Sequence, residues 1–341
     1  MKDKPQKYTI EDIARRAGVS RQTISRVLNN HPSVSVETRQ TVNAIMNELD
    51  YRPNFSARHM RTKNSKLVGV ITQEVITTPH AVDMISGAQD TLWAQGKLML
   101  IANANYGPEM TQAAWEALLE RRVEGIVYMV MFHQQVEIPP QMSQVPIVLA
   151  NCFSKNRDYA SIVPDEVGGG YAATNLLLRK GHRRIGFINL GKPPVTLPPI
   201  PAASGRLAGY KKALSEYDIP FDEALLKYTN QTSQVDYQLT KALMSQPNPP
   251  TAIFCGNDRT AMGCYGALNS LKLRIPEDVA VVGFDNQLML TENLWPRLTT
   301  VQLPHYEMGK WAVEQMLSVI EGMSEPVQQL AECRLIERES T

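Results

Sequence analysis

The stretch Thr9–Asn30, TIEDIARRAGVSRQTISRVLNN, decides the reading of the chain. Thr9 is a helix-capping residue, and the apolar positions Ile10, Ile13, Ala14 and Ala17 that follow it keep helical spacing. Gly18 supplies the left-handed residue that ends this first helix. Ser20 caps a second helix at once. Its inner side is Ile24, Val27 and Leu28, which turns Arg21, Gln22, Ser25 and Arg26 outward. Those are residue types that read DNA: Arg pairs with guanine, Gln with adenine, and Ser takes a phosphate, all from the start of a helix in the major groove. The competing interpretation is a helical hairpin with a solvated charged face, the usual explanation for scattered Arg and Gln.

Working outward, Ser35 caps a third helix in which Val42, Ile45, Met46 and Leu49 close a small three-helix core. Tyr51, Arg52, Pro53 and Asn54 break that helix. Asn54 caps one more short helix, Phe55 to Arg61, too brief to be stable alone in water and suited to folding on DNA.

The string T-I-x-D-I-A-R-x-A-G-V-S-x-x-T-I-S-R-V-L-N, followed by V-S-x-x-T-R and Y-x-P-N-x-x-A-R, closely resembles the LacI/GalR family of bacterial transcription regulators. The resemblance implies that Arg21, Gln22 and Arg26 read bases while Ser20, Thr23, Ser25 and Asn29 hold the DNA backbone. The caps Thr9 and Asn54 complete the expected contact set. It also implies a hinge helix over 54–62 that places Ala57 and Met60 in the minor groove. The family usually has leucine at the Met60 position, where it wedges into a base step; Met is apolar and similar in size, so it is expected to wedge too.

The net charge of +1 hides an asymmetry. Residues 1–62 hold 11 Lys and Arg against 6 Asp and Glu, a surplus of five positive charges, whereas the remainder has 24 against 28. Positive charge concentrated on the small module is the footprint of phosphate binding. Four cysteines, Cys152, Cys255, Cys264 and Cys333, have neither zinc-site nor CxxC spacing and are expected to be reduced core thiols. No metal or cofactor is expected. The first residues lack an apolar stretch of signal-peptide length, and no window approaches a membrane span, so a cytoplasmic protein is expected.

After a polar linker over 63–66, short apolar runs alternate with amphipathic stretches. The runs 66–71, 98–102, 125–130 and 145–150 are expected strands, with helices near 81–95 and 109–120; the link 132–144 is less clear. A second set begins near Ala160, with strands at 184–189, 252–255 and 279–284 and helices near 166–180, 204–217, 237–245 and 259–271. Apolar runs separated by helices mean parallel sheets covered on both faces. The expected fold class is therefore α/β: a helix-turn-helix domain followed by two doubly wound lobes. Residues 67–164 and 299–323 are assigned to the first lobe, and 165–298 and 324–341 to the second. Helix 306–321 would pack on the first lobe and strand 333–337 return to the second, so that three crossings form a hinge. The motifs G-H-R-R-I-G-F-I, R-L-A-G-Y, G-N-D-R-x-A-M-G, V-A-V-V-G-F-D-N and P-R-L-T-T-V resemble the periplasmic-binding-protein-like body of the same family.

Two such lobes enclose a cleft at the carboxyl ends of their strands. Gln73 and Glu74, Asn151, Arg206, Asn257 and Asp285 stand just past those ends. Planar amide, carboxylate and guanidinium groups grip neighbouring hydroxyls in pairs, as a sugar requires. By resemblance, Asn151, Arg206, Asn257 and Asp285 occupy positions used by sugar-responsive members; Asp258 is expected to cap the next helix instead. Many members have an aromatic ring in the loop after the strand near Leu225. Here that loop has none, and Phe132, Phe153 or Trp295 is a candidate substitute, each of a type more often found in the core. The proline-rich loop 191–201 is either a wall of the cleft or a surface loop.

V-L-A-N-C, C-G-N-D-R, G-F-D-N and T-T-V-Q-L-P-H look most like the sucrose-operon repressors of the family. The resemblance then implies a homodimeric repressor of a carbohydrate-utilisation operon, with palindromic operator DNA as one partner and a mono- or disaccharide effector, sucrose among them, as the other. A co-repressed regulator with a nucleobase effector is the alternative, and a sugar-binding transport receptor a more remote one. No leucine-heptad tail follows Arg334–Glu337, which favours a dimer over a tetramer. An enzyme is not expected: there is no GxSxG, no P-loop, and Gly168–Gly170 does not form GxGxxG. Those glycines are expected to let a helix pack closely.

Overall fold

The computed structural model describes residues 8–28, 31–51, 65–79, 81–104, 107–139, 142–191, 200–323 and 325–341. The chain divides into two units, Met1–Ser65 and Lys66–Thr341.

In the first unit, α1 (Ile10–Arg16), α2 (Arg21–Leu28) and α3 (Val36–Glu48) surround Ile13, Ala14, Ile24, Val27 and Val42. Local chemistry sets each boundary. The Thr9 side chain accepts from the Asp12 backbone N–H while the Asp12 carboxylate accepts from the Thr9 N–H, a reciprocal capping box. Gly18 follows α1 at φ +65°, a conformation that penalises a Cβ. Ser20 Oγ accepts from the Thr23 N–H at 3.1 Å, and Ser35 Oγ from the Thr38 N–H at 3.2 Å. At the other end of α2, Arg39 donates to the carbonyl oxygens of Val27 and His31. The hinge residues Asn54, Ala57 and Met60, together with Asn29, lie outside the described residues.

The second unit holds two six-stranded sheets. The first uses β1 (Leu67–Gln73), β2 (Leu98–Asn103), β3 (Ile126–Val136), β4 (Ile147–Ser154) and β5 (Ala160–Pro164), between which lie α4 (Val82–Ala94) and α5 (Pro108–Glu120). The second uses β6 (Ile185–Asn189), β7 (Leu226–Tyr228), β8 (Ala252–Cys255) and β9 (Ala280–Asp285). Around it lie α6 (Glu166–Arg179), α7 (Pro201–Glu216), α8 (Ser233–Met244), α9 (Asp258–Ser270) and the short α10 (Leu288–Thr291). The chain then runs through β10 (Thr299–Gln302), α11 (His305–Ile320), β11 (Gln328–Ala331) and β12 (Arg334–Ile336).

Strand order is β11-β5-β4-β3-β1-β2 in the first sheet and β12-β10-β9-β8-β6-β7 in the second. All pairings are parallel except β10 with β12, which is antiparallel. Central strands such as β8 and β5 are buried along their whole length, as a sheet with helices on both faces requires.

Several boundaries differ from the sequence expectation. Thr299–Gln302 belongs to the second sheet, paired with β9 and β12, not to the first lobe. Gln328–Ala331, assigned to the second lobe, pairs with β5 in the first sheet, as does the strand at Ala160 with β4. The uncertain link after Val130 continues β3 to Val136, with a register shift against β4 between Met129 and Gln134. Crossings between lobes therefore fall at 164–166, 302–305 and 331–334.

Two glycine-mediated helix pairs fix the layers. A Cβ on Gly209 of α7 would stand 2.2 Å from the Val167 carbonyl oxygen, and one on Gly170 of α6 would stand 2.4 Å from that of Arg206. The first lobe repeats the device. A Cβ on Gly87 of α4 would be 2.0 Å from the Tyr306 carbonyl oxygen, and one on Gly309 of α11 would be 1.8 Å from that of Met84. Among Gly168–Gly170, Gly170 thus performs the close packing expected of the run. All four cysteines are buried free thiols.

Candidate functional site

The first surface of interest is the start of α2. Arg21, Gln22 and Arg26 are exposed, and Ile24 and Val27 are buried beneath them. Arg21 is held by Glu11 of α1 at 2.8 Å, which keeps its guanidinium at the mouth of the helix pair. Ser20 and Thr23 hydroxyls lie 3.0 Å apart and satisfy one another as well as the cap. Thr9 is exposed, and its hydroxyl donates to Asp12 at 2.8 Å, so its place in this structure is that of a cap. Ser25 is half-buried.

The second is the space between the sheets of the larger unit, built from strand ends. Gln73 ends β1 beside Val130 of β3. Asn151 of β4 donates through Nδ2 to the Val130 and Met131 carbonyl oxygens at 3.1 and 2.7 Å. Its backbone is left-handed, φ +59°, which Asn tolerates better than most residues, and its Oδ1 is buried without a partner among the described residues.

In the second lobe Arg206 sits on α7, 3% exposed. Its Nε donates to Glu166 Oε2 at 2.7 Å, its Nη1 donates to the Gly256 carbonyl oxygen, and Asp285 Oδ1 lies 3.7 Å from Nη1. The guanidinium carbon lies 3.6 Å from the centre of the Phe284 ring. These contacts fix the plane of the fork while Nη2 donates to no protein group among the described residues. Asp285 has φ +110° and is followed by Asn286 at +58°. Backbone held in such sparsely populated regions clusters at binding sites. Asp285 Oδ2 accepts from Gln287 Nε2 at 2.9 Å.

Two neighbouring carboxylates of this cluster titrate in opposite senses. Burial opposes ionisation of Glu166, but the Arg206 guanidinium and His133 outweigh it and hold the carboxyl below its ordinary range. Burial pushes Asp285 up, because Arg206 gives its direct bond to Glu166 and stands farther from Asp285. Arg206 is buried too, and the two carboxylates keep it firmly charged.

Asn257, not Asp258, caps α9: its Oδ1 accepts from the Thr260 N–H at 2.8 Å, leaving Nδ2 3.4 Å from Gln231 Oε1. Asp258 is instead a buried tie, accepting from Thr300 Oγ1 at 2.6 Å and the Gln287 N–H at 2.7 Å. Burial, with Asp285 nearby, pushes its carboxyl well up. Of the aromatic substitutes, Phe153 stands edge-on to His133, while Phe132 and Trp295 are exposed by 48% and 90%. The loop 192–199 lies outside the described residues.

The structure thus brings Arg206, Asp285 and Asn257 together around Gly256, and Gln73 and Asn151 together on the first-lobe strand ends. Sequence reasoning missed Glu166, Phe284 and His133. A Glu opening a helix reads as an ordinary partner of the helix dipole, and nothing local shows that its partner is 40 residues away. Among the described residues no group of His, Cys, Asp and Glu fits a metal ion, and no helix is long and apolar enough to cross a membrane.

Residues 9–54 match the bacterial regulatory proteins of the lacI family, and residues 174–341 match the periplasmic binding protein-like domain. The HTH-type transcriptional repressor PurR of Escherichia coli O139:H28 is 31% identical over 336 residues, covering 97% of this chain and 96% of PurR. This chain belongs to the LacI family of transcriptional regulators. Solved structures of the family share the whole architecture. The lac repressor dimer bound to operator and the anti-inducer ONPF is 26% identical, with a TM-score of 0.78 and coverage of 98% of this chain and 99% of that one. The complex of the transcriptional regulator CelR with cellobiose is 28% identical, with a TM-score of 0.67 and coverage of 98% and 100%. Membership of the LacI family makes the first unit a DNA-binding domain and the second a ligand-binding body, and its named relatives are transcriptional regulators, PurR and the lac repressor among them repressors, rather than enzymes.

Proposed function

We propose that this LacI-family protein is a homodimeric transcriptional repressor of a carbohydrate-utilisation operon, released from a near-palindromic operator by a sugar bound between its lobes. Arg21, Gln22 and Arg26 read base edges in each half-site, and Ser20, Thr23, Ser25 and Asn29 hold phosphates. Thr9 and Asn54 cap the contacting helices. The hinge segment 54–62 lays Ala57 and Met60 in the minor groove at the operator centre. Effector binding changes the lobe arrangement and loosens the hinge, a reciprocal coupling of ~1–3 kcal/mol in proteins of this kind.

The observation that carries the sugar assignment is the polarity of the cleft around Arg206. Around Arg206 the carboxylates of Glu166 and Asp285 accept and the guanidinium donates, and on the first-lobe strand ends Asn151 Oδ1 is a further buried acceptor. Hydroxyl groups, each donor and acceptor at once, answer that pattern. The Phe284 ring lies against the guanidinium, so the aromatic face nearest Arg206 is already engaged; a flat base has less to stack on there. The similarity to the CelR–cellobiose complex supports a sugar, and the sucrose-repressor motifs favour sucrose. A nucleobase is the second reading, supported by the similarity to PurR along nearly the full chain.

Titration calorimetry of the full-length chain with sucrose, fructose, glucose, maltose, raffinose, cellobiose, guanine and hypoxanthine separates the two. One sugar should bind, and Arg206→Ala should abolish its heat. Binding of a purine base alone would overturn the sugar assignment.

A further inference from the structure

Arg206 is a buried cation at the heart of the cleft, and on its own it would make the cleft a receptor for anions such as phosphate esters. Its charge, however, is already spent inside the protein. Glu166 takes Nε at 2.7 Å and is as buried as the guanidinium, while Asp285, a little more exposed, stands 3.7 Å from Nη1. Glu166 has a second neighbour across the cleft: its Oε1 lies 3.7 Å from Nδ1 of His133 on β3, a strand of the first lobe. His133 is itself backed edge-on by Phe153. Glu166 therefore stands between the two lobes, joined to the guanidinium of one and facing the imidazole of the other. A ligand that reaches Arg206 Nη2 meets two carboxylates for one guanidinium.

We propose that Glu166 is a specificity-determining residue of the cleft: by neutralising Arg206 it restricts the effector to uncharged, hydroxyl-rich molecules and excludes their phosphorylated forms. Arg206 then acts as an oriented hydrogen-bond fork and not as a charge receptor. The carboxylates repel a phosphate ester at close range, where low solvent access leaves the repulsion poorly screened. This deepens the sugar reading and rests on the cleft being the effector site, but the charge argument itself holds for any ligand.

The test uses inorganic phosphate as the probe, so that it does not depend on which sugar binds. Full-length wild type, Arg206→Ala, Glu166→Gln, Glu166→Asp and the double variant Glu166→Gln/Arg206→Ala are titrated with phosphate at pH 8, with sodium chloride as the ionic-strength control. Glu166→Gln should bind phosphate about tenfold or more tightly than wild type. Glu166→Asp should behave as wild type, because it keeps the charge, and the double variant should lose the gain. Phosphate binding to wild type that Arg206→Ala removes, or no gain in Glu166→Gln, overturns the proposal. If Glu166→Gln shows no cooperative thermal transition, the wild type decides: a sugar monophosphate bound as tightly as its unphosphorylated sugar overturns the proposal. In parallel, each sugar of the panel is compared with its monophosphate. No sugar binding together with the predicted phosphate series removes the sugar reading and leaves the charge selection standing.

Discussion

Glu166 and Arg206 form a buried pair whose consequences reach past binding. The pair's desolvation is costly, and the bond, the Phe284 face and the Gly256 carbonyl offset that cost. Because the folded state holds Glu166 below its ordinary value of 4.5, its contribution to stability is fully present above pH 4.5 and is lost as pH falls through the lower folded value. Asp285 and Asp258 act in the opposite sense. Raised by burial, they favour the folded state at low pH and cease to do so as pH rises from 3.8 through their raised values. Urea unfolding of wild type and Glu166→Gln from pH 3 to 7 should therefore show the largest gap at neutral pH, narrowing below pH 4.5. A gap constant over that range would mean that Glu166 titrates alike in the folded and the unfolded chain. At this scale the sequence was partly legible. Arg206 and Asp285 stand in recognisable motifs, but Glu166, the direct partner of Arg206, is brought to it by the contact of α6 with α7, and no local pattern records it. Asn257 and Asp258 are both good caps, so adjacency alone could not decide between them.

At the scale of elements, α6 and α7 matter because one close contact carries both a helix packing and the orientation of Arg206. Gly209→Ala would place a methyl 2.2 Å from a backbone oxygen that has no rotamer to escape into. The helices must part, which costs about 1–3 kcal/mol for an overpacked site. A shift of the helix that carries Arg206 should also weaken effector binding more than it weakens the fold. Thermal unfolding and calorimetry of Gly209→Ala measure both; unchanged effector affinity beside a lowered Tm would separate the packing from the site.

The three-helix unit was the most legible part of the chain, because caps and periodicity lie within a few residues of each other. The sheets were legible as strands buried on both faces. Sheet membership was not. Gln328–Ala331 is a four-residue strand at the sheet edge, mostly exposed, and reads as loop. Thr299–Gln302 has the right composition for either sheet, and only its pairing with β9 assigns it.

At the scale of the whole molecule, the charge is divided between two units with opposite surpluses. Operator affinity should fall steeply with salt, by roughly a thousandfold or more between 50 and 200 mM for six to ten phosphate contacts. Effector affinity should be nearly insensitive to salt if the ligand is uncharged. Parallel salt series on the two equilibria check this, and a steep slope for the effector would point to an anionic ligand.

Occupation of the cleft should control DNA binding. Fluorescence anisotropy of the full-length protein on a labelled LacI-type palindromic operator, at fixed salt with and without each member of the effector panel, tests it most directly. One uncharged sugar should lower operator affinity about 5- to 150-fold, and Arg206→Ala should remove the response. Release by a sugar in the Arg206→Ala variant as in wild type, or tightening on DNA by a purine base alone, would contradict it.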